Sequence, residues 1–136
     1  MNLLNKNYVA AGIAPHIGGL ALLGLRSRVC ETLQGYWSIS CGMINRNESP
    51  KQAALREFFE ETGLEIKKDI SFLNEFPLDS ENYFIAFSLK LNDLIFPRHD
   101  AIDAFEHEEW GFFKIEKNTL PETMTEDMKT TLLKIK

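Results

Sequence analysis

The sequence predicts an α/β fold in which a mixed sheet lies between two layers of helix. Three observations carry this prediction. Short apolar runs at 8–14 and 19–25, the short segment 36–40, and runs rich in aromatic or β-branched residues at 70–76, 82–91 and 108–115 are typical of strands. One segment in the middle has the markers of both helix ends, and the C-terminal segment has apolar residues at helical spacing. A helix on each side of the sheet would bury both apolar stripes, which gives an α/β/α sandwich.

The apolar stretch from Tyr8 to Leu25 is interpreted as two strands and a turn. Pro15, His16 and four glycines interrupt it, whereas a membrane-spanning helix needs about 20 consecutive apolar residues. The same interruptions argue against a signal peptide. The sequence therefore predicts a hairpin whose turn lies in the segment "PHIG", and no association with a membrane.

The middle helix is predicted to cover about residues 50–62. Ser49 is a typical N-cap, Pro50 suits the first helical position, and Gln52 completes a capping box. Gly63 suits the left-handed residue that commonly follows a helix. Upstream, the strand at 36–40 is expected to end before Gly42, where a loop begins.

A second helix is predicted near the C-terminus. Apolar residues recur there at helical spacing, at Met124, Met128, Leu132 and Ile135. Thr123 is expected to cap this helix, in a capping box with Glu126.

The chain has 136 residues, of which 44% are hydrophobic and 26% charged, the composition of one globular domain spanning residues 1–136. Its formal net charge of −5 disfavours a broad nucleic-acid surface, because such surfaces are basic. The two cysteines, Cys30 and Cys41, are too few for a disulfide framework. We therefore expect a reduced, cytoplasmic setting and a local site. The oligomeric state stays open, a homodimer included.

The middle helix carries a crowded acidic face in the segment "REFFEETG", residues 56–63. At 100° per residue, Glu57, Glu60 and Glu61 share one face, and Arg56 points away from it. The other arc is apolar and holds Ala54, Leu55, Phe58 and Phe59. Each like-charge pair costs an isolated helix roughly 0.2–0.5 kcal/mol, so either solvent or a cation must offset the repulsion. An all-oxygen donor set suits Mg²⁺ or Mn²⁺ rather than zinc.

The acidic segment belongs to a longer pattern, "GMINRNESPKQAALREFFEETGL", at residues 42–64. This pattern resembles the signature of the Nudix hydrolases. All seven fixed positions of that signature are present, namely Gly42, Glu48, Arg56, Glu57, Glu60, Glu61 and Gly63. The match favours a bound cation over a solvated acidic face.

The resemblance implies a fold and a reaction. A mixed sheet between helices is the family's architecture, and it agrees with the layers predicted above. The family's reaction is hydrolysis of a nucleoside diphosphate linked to another moiety, in which water attacks phosphorus with the help of divalent ions. The implied cofactor is Mg²⁺, with Mn²⁺ as an alternative, and the implied partner is a small-molecule nucleotide substrate.

The resemblance also implies residue roles. Glu57, Glu60 and Glu61 are expected to bind the metal, and Glu57 is the first candidate for the general base. Arg56 is expected to orient a glutamate of the motif, because a guanidinium can hold a carboxylate at two points. Where relatives commonly have Pro-Gly-Gly, this chain has Ser-Cys-Gly, and the backbone carbonyl of Cys41 is a further candidate ligand.

Five further charged residues have two interpretations each. Glu48 precedes the helix and either stabilises its positive end or contributes to the metal site. Glu106, with Glu108 as a second choice, either completes the metal site or is an ordinary surface acid. Arg26 and Arg28 follow the second strand and either contact substrate phosphates or only add surface charge.

The remaining candidates are aromatic residues and histidines. Trp37, Phe84 and Trp110 lie in predicted strands, where they either stack on a base or belong to the core. His16 and His107 have no partners at catalytic spacing, so no chemistry is assigned to them.

Two other functions compete with hydrolysis. A Nudix-like domain that binds a nucleotide or protein without cleaving it is disfavoured by the complete set of carboxylates. An isomerase of prenyl diphosphates on a related fold is disfavoured by the short chain. The substrate stays open among nucleoside triphosphates, nucleotide sugars, dinucleoside polyphosphates and capped RNA ends, because loops outside the motif set specificity.

Overall fold

The structure, a computed structural model, describes residues 6–30 and 32–135. In this part of the chain it contains seven strands, two α-helices and one 3₁₀ turn. The strands are β1 (Asn7–Ile17), β2 (Leu20–Arg26), β3 (Trp37–Ser38), β4 (Ser40–Met43), β5 (Ser71–Pro77), β6 (Asn82–Lys90) and β7 (His107–Lys114). The helices are α1 (Pro50–Thr62) and α2 (Glu126–Leu132), and the 3₁₀ turn is Ala104–Glu106.

The strands form one mixed sheet. Its main path is β3-β2-β1-β6-β5, with β4 paired to β1 and β7 paired to β2. The β1 and β6 pair is parallel, and the other pairs are antiparallel. The parallel pair at the centre is long, running from Asn7 opposite Asn82 to His16 opposite Lys90.

Two apolar layers cover the two faces of this sheet because side chains alternate along a strand. On one face, Ala10 and Ala14 of β1 pack with Met128 and Leu132 of the α2 region. On the other face, Ile13 and neighbouring residues pack with α1, chiefly through Ala53, Ala54 and Phe58. The predicted α/β/α sandwich is therefore confirmed.

The ends of α1 lie where the sequence predicts them. Ser49 accepts a hydrogen bond from the Gln52 amide and the Gln52 side chain accepts one from the Ser49 amide. Gly63 has φ of 74°, in the left-handed region that favours glycine, and its amide donates to the Phe59 carbonyl. Both ends thus rest on local backbone chemistry.

A buried polar contact holds α2 against the sheet. The Asn74 amide of β5 donates from Nδ2 to Thr131 Oγ1 at 2.8 Å, and Lys134 Nζ donates to Asn74 Oδ1 at 3.0 Å. Asn74 and Thr131 are both buried. Because a buried amide without partners is costly, this pairing sets the position of α2 on the sheet.

Three local predictions were wrong. The first hairpin turns at Gly18 and Gly19, with φ of 55° and 80°, so only the last residue of the predicted segment 15–18 belongs to the turn, because two left-handed residues suit a two-residue hairpin turn. Gly42 belongs to β4 and pairs with Ala11, so the strand continues where a loop was expected. The N-cap of α2 is Thr125, which accepts from the Met128 amide, and not Thr123.

Among the described residues, no helix has the length and apolar character needed to cross a membrane.

Candidate active site

The carboxylate of Glu57 lies directly against the backbone of Gly42. A side-chain carbon added at Gly42 would stand only 2.5 Å from Glu57 Oε1, far inside van der Waals contact. The two residues come from α1 and β4, which pack against each other. Glycine at this position therefore allows a helix carboxylate to rest on the sheet edge.

Arg56 is the centre of a hydrogen-bond network that joins the loop before α1 to the acidic residues of α1. Its Nη1 donates to Glu57 Oε1 at 2.8 Å and to Glu60 Oε1 at 3.0 Å. Its Nε and Nη2 donate to the two oxygens of Glu48 at 2.7 and 3.0 Å, and Nη2 also donates to the Met43 carbonyl at 2.8 Å. The expectation that Arg56 points away from the acidic face was wrong, because its long side chain curls back across it.

The environment of Arg56 keeps it and its main partner charged. Hydrogen bonding to Glu48 is the main cause that raises the pKa of Arg56. The same contact lowers the pKa of Glu48, and the Asn45 amide, 2.9 Å from Glu48 Oε1, acts in the same direction. The ion pair is therefore fully formed near neutral pH.

Glu61 is buried beneath this network. It is 1% exposed, and neither carboxyl oxygen makes a hydrogen bond with any described residue. Burial raises the pKa of Glu61 well above its usual range; the nearby Ser40 hydroxyl opposes the shift, and the negative charges of Glu57 and Glu106 add to it. A buried carboxyl whose oxygens make no hydrogen bond is costly unless it is protonated or meets a cation.

Two other carboxyls, those of Glu57 and Glu106, act on Glu61 through their charge and have surroundings of their own. Burial raises the pKa of Glu57, while the hydrogen bond from Arg56 opposes the shift. Burial also raises the pKa of Glu106, and the charge of Asp103 adds to it. Mutual repulsion contributes to these shifts, so the site holds excess negative charge that favours a cation.

Phe58 and Phe59 do not share a role, although both were expected on the apolar arc. Phe58 is 1% exposed and packs in the core below the sheet, whereas Phe59 is 44% exposed. Glu61 and Thr62 are buried in place of Phe59. The buried arc of α1 is therefore rotated from the predicted one and takes in one of the acids.

A cavity of about 760 Å³ opens beside Gly42 and Glu57. Its apolar wall includes Tyr36, Trp37, Phe76, Phe84 and Met128. Within that wall, the rings of Phe76 and Phe84 stack at 4.9 Å and 16°. Its polar lining includes Glu57, Glu106, Arg26 and Asp127. The size and mixed lining are those of a small-molecule site.

The structure separates the weaker sequence candidates. Arg26 and Glu106 line the cavity, as does Cys41. Burial raises the pKa of the Cys41 thiol to about 12, so its sulfur is uncharged. Arg28 is exposed and is not among the described residues that line the cavity. Glu108 is exposed on β7.

His107 is a feature of the site that sequence reasoning missed. It is buried, and its Nε2 lies 3.8 Å from Glu61 Oε1. Burial and the charge of Arg26 lower its pKa to about 4, so the ring is neutral at pH 7. The sequence does contain a signal for a bulge here, because the two consecutive acids in "HEEW" interrupt the alternation of buried and exposed residues expected in a strand.

The residues present suit a hard divalent cation. Over residues 6–30 and 32–135, no three His, Cys, Asp or Glu side chains stand grouped closely enough to hold an ion. Arg56 instead holds one oxygen each of Glu57 and Glu60. The donor set is nevertheless all carboxylate, and the buried Glu61 oxygens lack partners. This chemistry matches the oxygen preference of Mg²⁺ and Mn²⁺.

Comparison with known proteins bears on the family. The sequence profile of the NUDIX domain matches residues 7–135. A search of curated proteins gave no significant match.

Solved structures share the fold. The MutT NUDIX hydrolase from Burkholderia pseudomallei is 23% identical with a TM-score of 0.72, and the match covers 96% of this chain and 100% of that chain. The MutT protein from Methanosarcina mazei Go1 is 27% identical with a TM-score of 0.66, covering 96% and 94%. The NUDIX domain of NrtR from Shewanella oneidensis, complexed with ADP ribose, is 15% identical with a TM-score of 0.71, covering 95% and 85%.

The profile match covers nearly the whole chain and includes every residue of the 42–64 motif. The chain therefore belongs to the Nudix family of pyrophosphohydrolases, which cleave pyrophosphate bonds in derivatives of nucleoside diphosphates.

Proposed function

We propose that this protein hydrolyses the pyrophosphate bond of a nucleoside diphosphate derivative with Mg²⁺ as cofactor, or Mn²⁺ in its place. The observation that carries the proposal is the buried Glu61 carboxyl, whose two oxygens make no hydrogen bond with any described residue. The negative charge of Glu57 acts on Glu61, and Glu57 lines the 760 Å³ cavity. A cation placed there would meet unpaired carboxylate oxygens at the edge of a substrate site.

Glu57, Glu60 and Glu61 are the proposed metal ligands. When bound, the divalent ion would neutralise phosphate charge and lower the pKa of the attacking water. The backbone carbonyl of Cys41 is a fourth candidate, because Cys41 is next to Gly42 and lines the cavity. Glu106 lines the same cavity and is proposed as a further ligand.

Glu57 is the proposed general base. It is the one motif glutamate that lines the cavity, so it can reach a water held against a substrate phosphate. Its contact with Gly42 and its hydrogen bond from Arg56 hold the carboxylate in one place. A fixed base in reach of the attacking water is what general base catalysis requires.

Arg56 and Glu48 are proposed to position this base rather than to contact substrate. Arg56 uses Nε, Nη1 and Nη2 on protein oxygens. Glu48 is occupied at both oxygens by Arg56 and by the Asn45 amide. These contacts support a structural role for Glu48 over the metal-linked one.

Arg26 is the proposed contact for the substrate phosphates. It is the one cation among the described residues that line the cavity. Its Nε donates to the Thr32 carbonyl at 3.0 Å, which anchors the guanidinium. Arg28 is exposed and is not among the described lining residues, which supports the interpretation of ordinary surface charge for it.

The proposed substrate is a small nucleotide, in a reducing compartment such as the cytoplasm. The cavity is large enough for one nucleoside, and its aromatic wall offers faces for a base. A nucleoside triphosphate, a nucleotide sugar, a dinucleoside polyphosphate or an ADP-ribose-like molecule each contains the required bond. The net charge of −5 disfavours long RNA, whose binding depends on basic surface.

A panel of these substrates with Mg²⁺ or Mn²⁺ tests the proposal. The parent protein should release phosphate, pyrophosphate or nucleotide products from at least one class, and EDTA should abolish release. Glu61→Gln should remove the activity, while Glu109→Gln, an exposed acid on β7, should not. Tight substrate binding without turnover in every class would instead favour the non-catalytic binding domain.

A further inference from the structure

The strand that carries His107 has an irregular register next to the site. Strand β7 pairs regularly with β2 from Lys114 to Glu109, and then His107 rather than Glu108 lies opposite Arg26. Glu108 is thus an extra residue, and Glu108 and Glu109 are both exposed. Such bulges re-aim a side chain, and they are common beside active sites. Here the bulge turns His107 inward.

The inward ring of His107 is held by contacts with two residues. Its centroid lies 4.4 Å from the Trp110 ring at an angle of 39°. It also contacts β2 at Gly24, where an added Cβ would stand 2.5 Å from His107 Cδ2. Glycine at position 24 makes room for the ring, so the imidazole is fixed in place.

The fixed ring has one polar edge towards the carboxyl of Glu61. Nε2 lies 3.8 Å from Glu61 Oε1. The other nitrogen, Nδ1, is buried without a hydrogen-bond partner among the described residues. When Glu61 is ionised, as it must be to bind a cation, a proton on Nδ1 would be a buried donor without an acceptor and would leave the Nε2 lone pair facing a carboxylate. The favoured tautomer therefore carries its proton on Nε2, facing Glu61.

We propose that His107 is a positioning residue for Glu61: its Nε2–H hydrogen-bonds the Glu61 carboxylate and orients it for a divalent cation. This inference rests on the proposed function. The present distance of 3.8 Å between His107 Nε2 and Glu61 Oε1 becomes a hydrogen bond when the Glu61 carboxyl moves about 1 Å towards the ring. A charged carboxylate strengthens that bond, and ligand carboxylates are usually held by such outer contacts. The bulge, the glycine and the tryptophan together aim the ring.

The Mn²⁺ affinity of the metal-free 136-residue protein, measured without substrate, tests this role. The variants are His107→Leu, which removes the donor at similar size, and His107→Gln, which keeps an N–H donor. The dissociation constant should rise about 10- to 100-fold in the leucine variant, as for other outer contacts of metal ligands. The glutamine variant should recover most of the affinity. Glu109→Gln, an exposed acid on the same strand, is the matched control and should bind as the parent does.

The kinetics give a second readout. At saturating Mn²⁺ the leucine variant should regain much of its kcat, because the defect is in holding the ion. If the leucine variant fails to fold, His107→Asn replaces it, since its amide is one methylene too short to reach Glu61. Asparagine should then bind Mn²⁺ much more weakly than glutamine.

These measurements distinguish a failure of the proposed role of His107 from a failure of the proposed function. If the parent hydrolyses its substrate and binds Mn²⁺, but the leucine or asparagine variant binds Mn²⁺ as tightly, the role of His107 is overturned and the proposed function stands. If the parent binds no Mn²⁺ and cleaves none of the substrate panel, the proposed function is overturned, and this role with it.

Discussion

The guanidinium of Arg56 and the carboxylate of Glu48 form a two-point ion pair, with Nε to Oε2 at 2.7 Å and Nη2 to Oε1 at 3.0 Å. The same guanidinium holds Glu57 and Glu60 through Nη1. The loop before α1 therefore determines where the proposed general base lies. This coupling makes residues that never reach the substrate important for turnover.

Arg56→Lys should lower kcat on the order of 100-fold with little loss of fold. A lysine has one ammonium and cannot bridge Glu48 and Glu57 at once, so the base is displaced, and a displacement of about 1 Å can cost this much. Steady-state kinetics and circular dichroism measure the two effects. Lys51→Ala is the control, because Lys51 pairs only with the exposed Asp69 among the residues that the structure describes. Equal kcat in the lysine variant and the parent would contradict the orienting role.

Glu48→Gln should destabilise the protein in a pH-dependent way. Arg56 lowers the folded-state pKa of Glu48 below its ordinary value of 4.5. The ion pair therefore adds stability above pH 4.5, and this contribution is lost as the pH falls through the lowered folded-state pKa. Thermal unfolding from pH 7 to pH 3 should show a difference in Tm between parent and variant that becomes smaller as the pH falls. A difference that is constant with pH would exclude the ion pair as its source.

Glu61→Gln should stabilise the metal-free protein near neutral pH. Burial raises the folded-state pKa of Glu61, so the folded protein binds this proton more tightly than the unfolded chain does. The free energy of unfolding then falls as the pH rises from the pKa of Glu61 in the unfolded chain through its higher pKa in the folded protein. The glutamine variant lacks this loss, and its unfolding temperature should exceed that of the parent at pH 7 with EDTA.

Added metal should reverse the order of the same two proteins. Mn²⁺ at 100 times its dissociation constant should add about 2.7 kcal/mol to the free energy of unfolding of the parent. The glutamine variant should gain far less. Equal stabilisation of both by Mn²⁺ would remove Glu61 from the proposed ligands.

Gly42→Ala should lower kcat on the order of 100-fold, because the new methyl group occupies the place of the Glu57 carboxylate. Gly42 is not among the glycines with positive φ, so alanine brings no backbone strain, and the loss reports on Glu57. The measurement is kcat at saturating metal and substrate. A fully active alanine variant would show that Glu57 does not need its present position.

Asn74→Ala should cost about 1–3 kcal/mol in the free energy of unfolding, since it removes a buried hydrogen bond to Thr131. Helix α2 also contributes Asp127 and Met128 to the cavity. Loosening α2 should therefore raise KM while kcat changes little. Urea denaturation and steady-state kinetics measure these effects. Lys134→Ala, which removes only an exposed partner of Asn74, is the control and should cost less.

The sequence alone was sufficient to predict the layers, the bounds of α1 and the family signature. The capping box at Ser49 and Gln52 and the left-handed Gly63 are confirmed, because these signals depend on backbone groups within a few residues. Strands β1, β2, β5, β6 and β7 were placed to within a few residues, because their side chains alternate against a common core, whereas β4 extends into the predicted loop. The first hairpin turn and the N-cap of α2 differ from their predicted positions, because a nearby glycine or threonine could serve equally well.

Tertiary contacts decided the rest. An isolated helix places Phe59 with Phe58 and Glu61 with Glu57, yet packing against the sheet leaves Phe59 44% exposed and Glu61 1% exposed. The rotation of α1 about its axis follows from the sheet beneath it, which helical spacing does not specify. His107 reaches Glu61 only because a bulge shifts the register of β7. These two residues, 46 positions apart in the chain, thus come together through the pairing of β7 with β2 and the packing of α1 on the sheet, non-local interactions that no local pattern encodes.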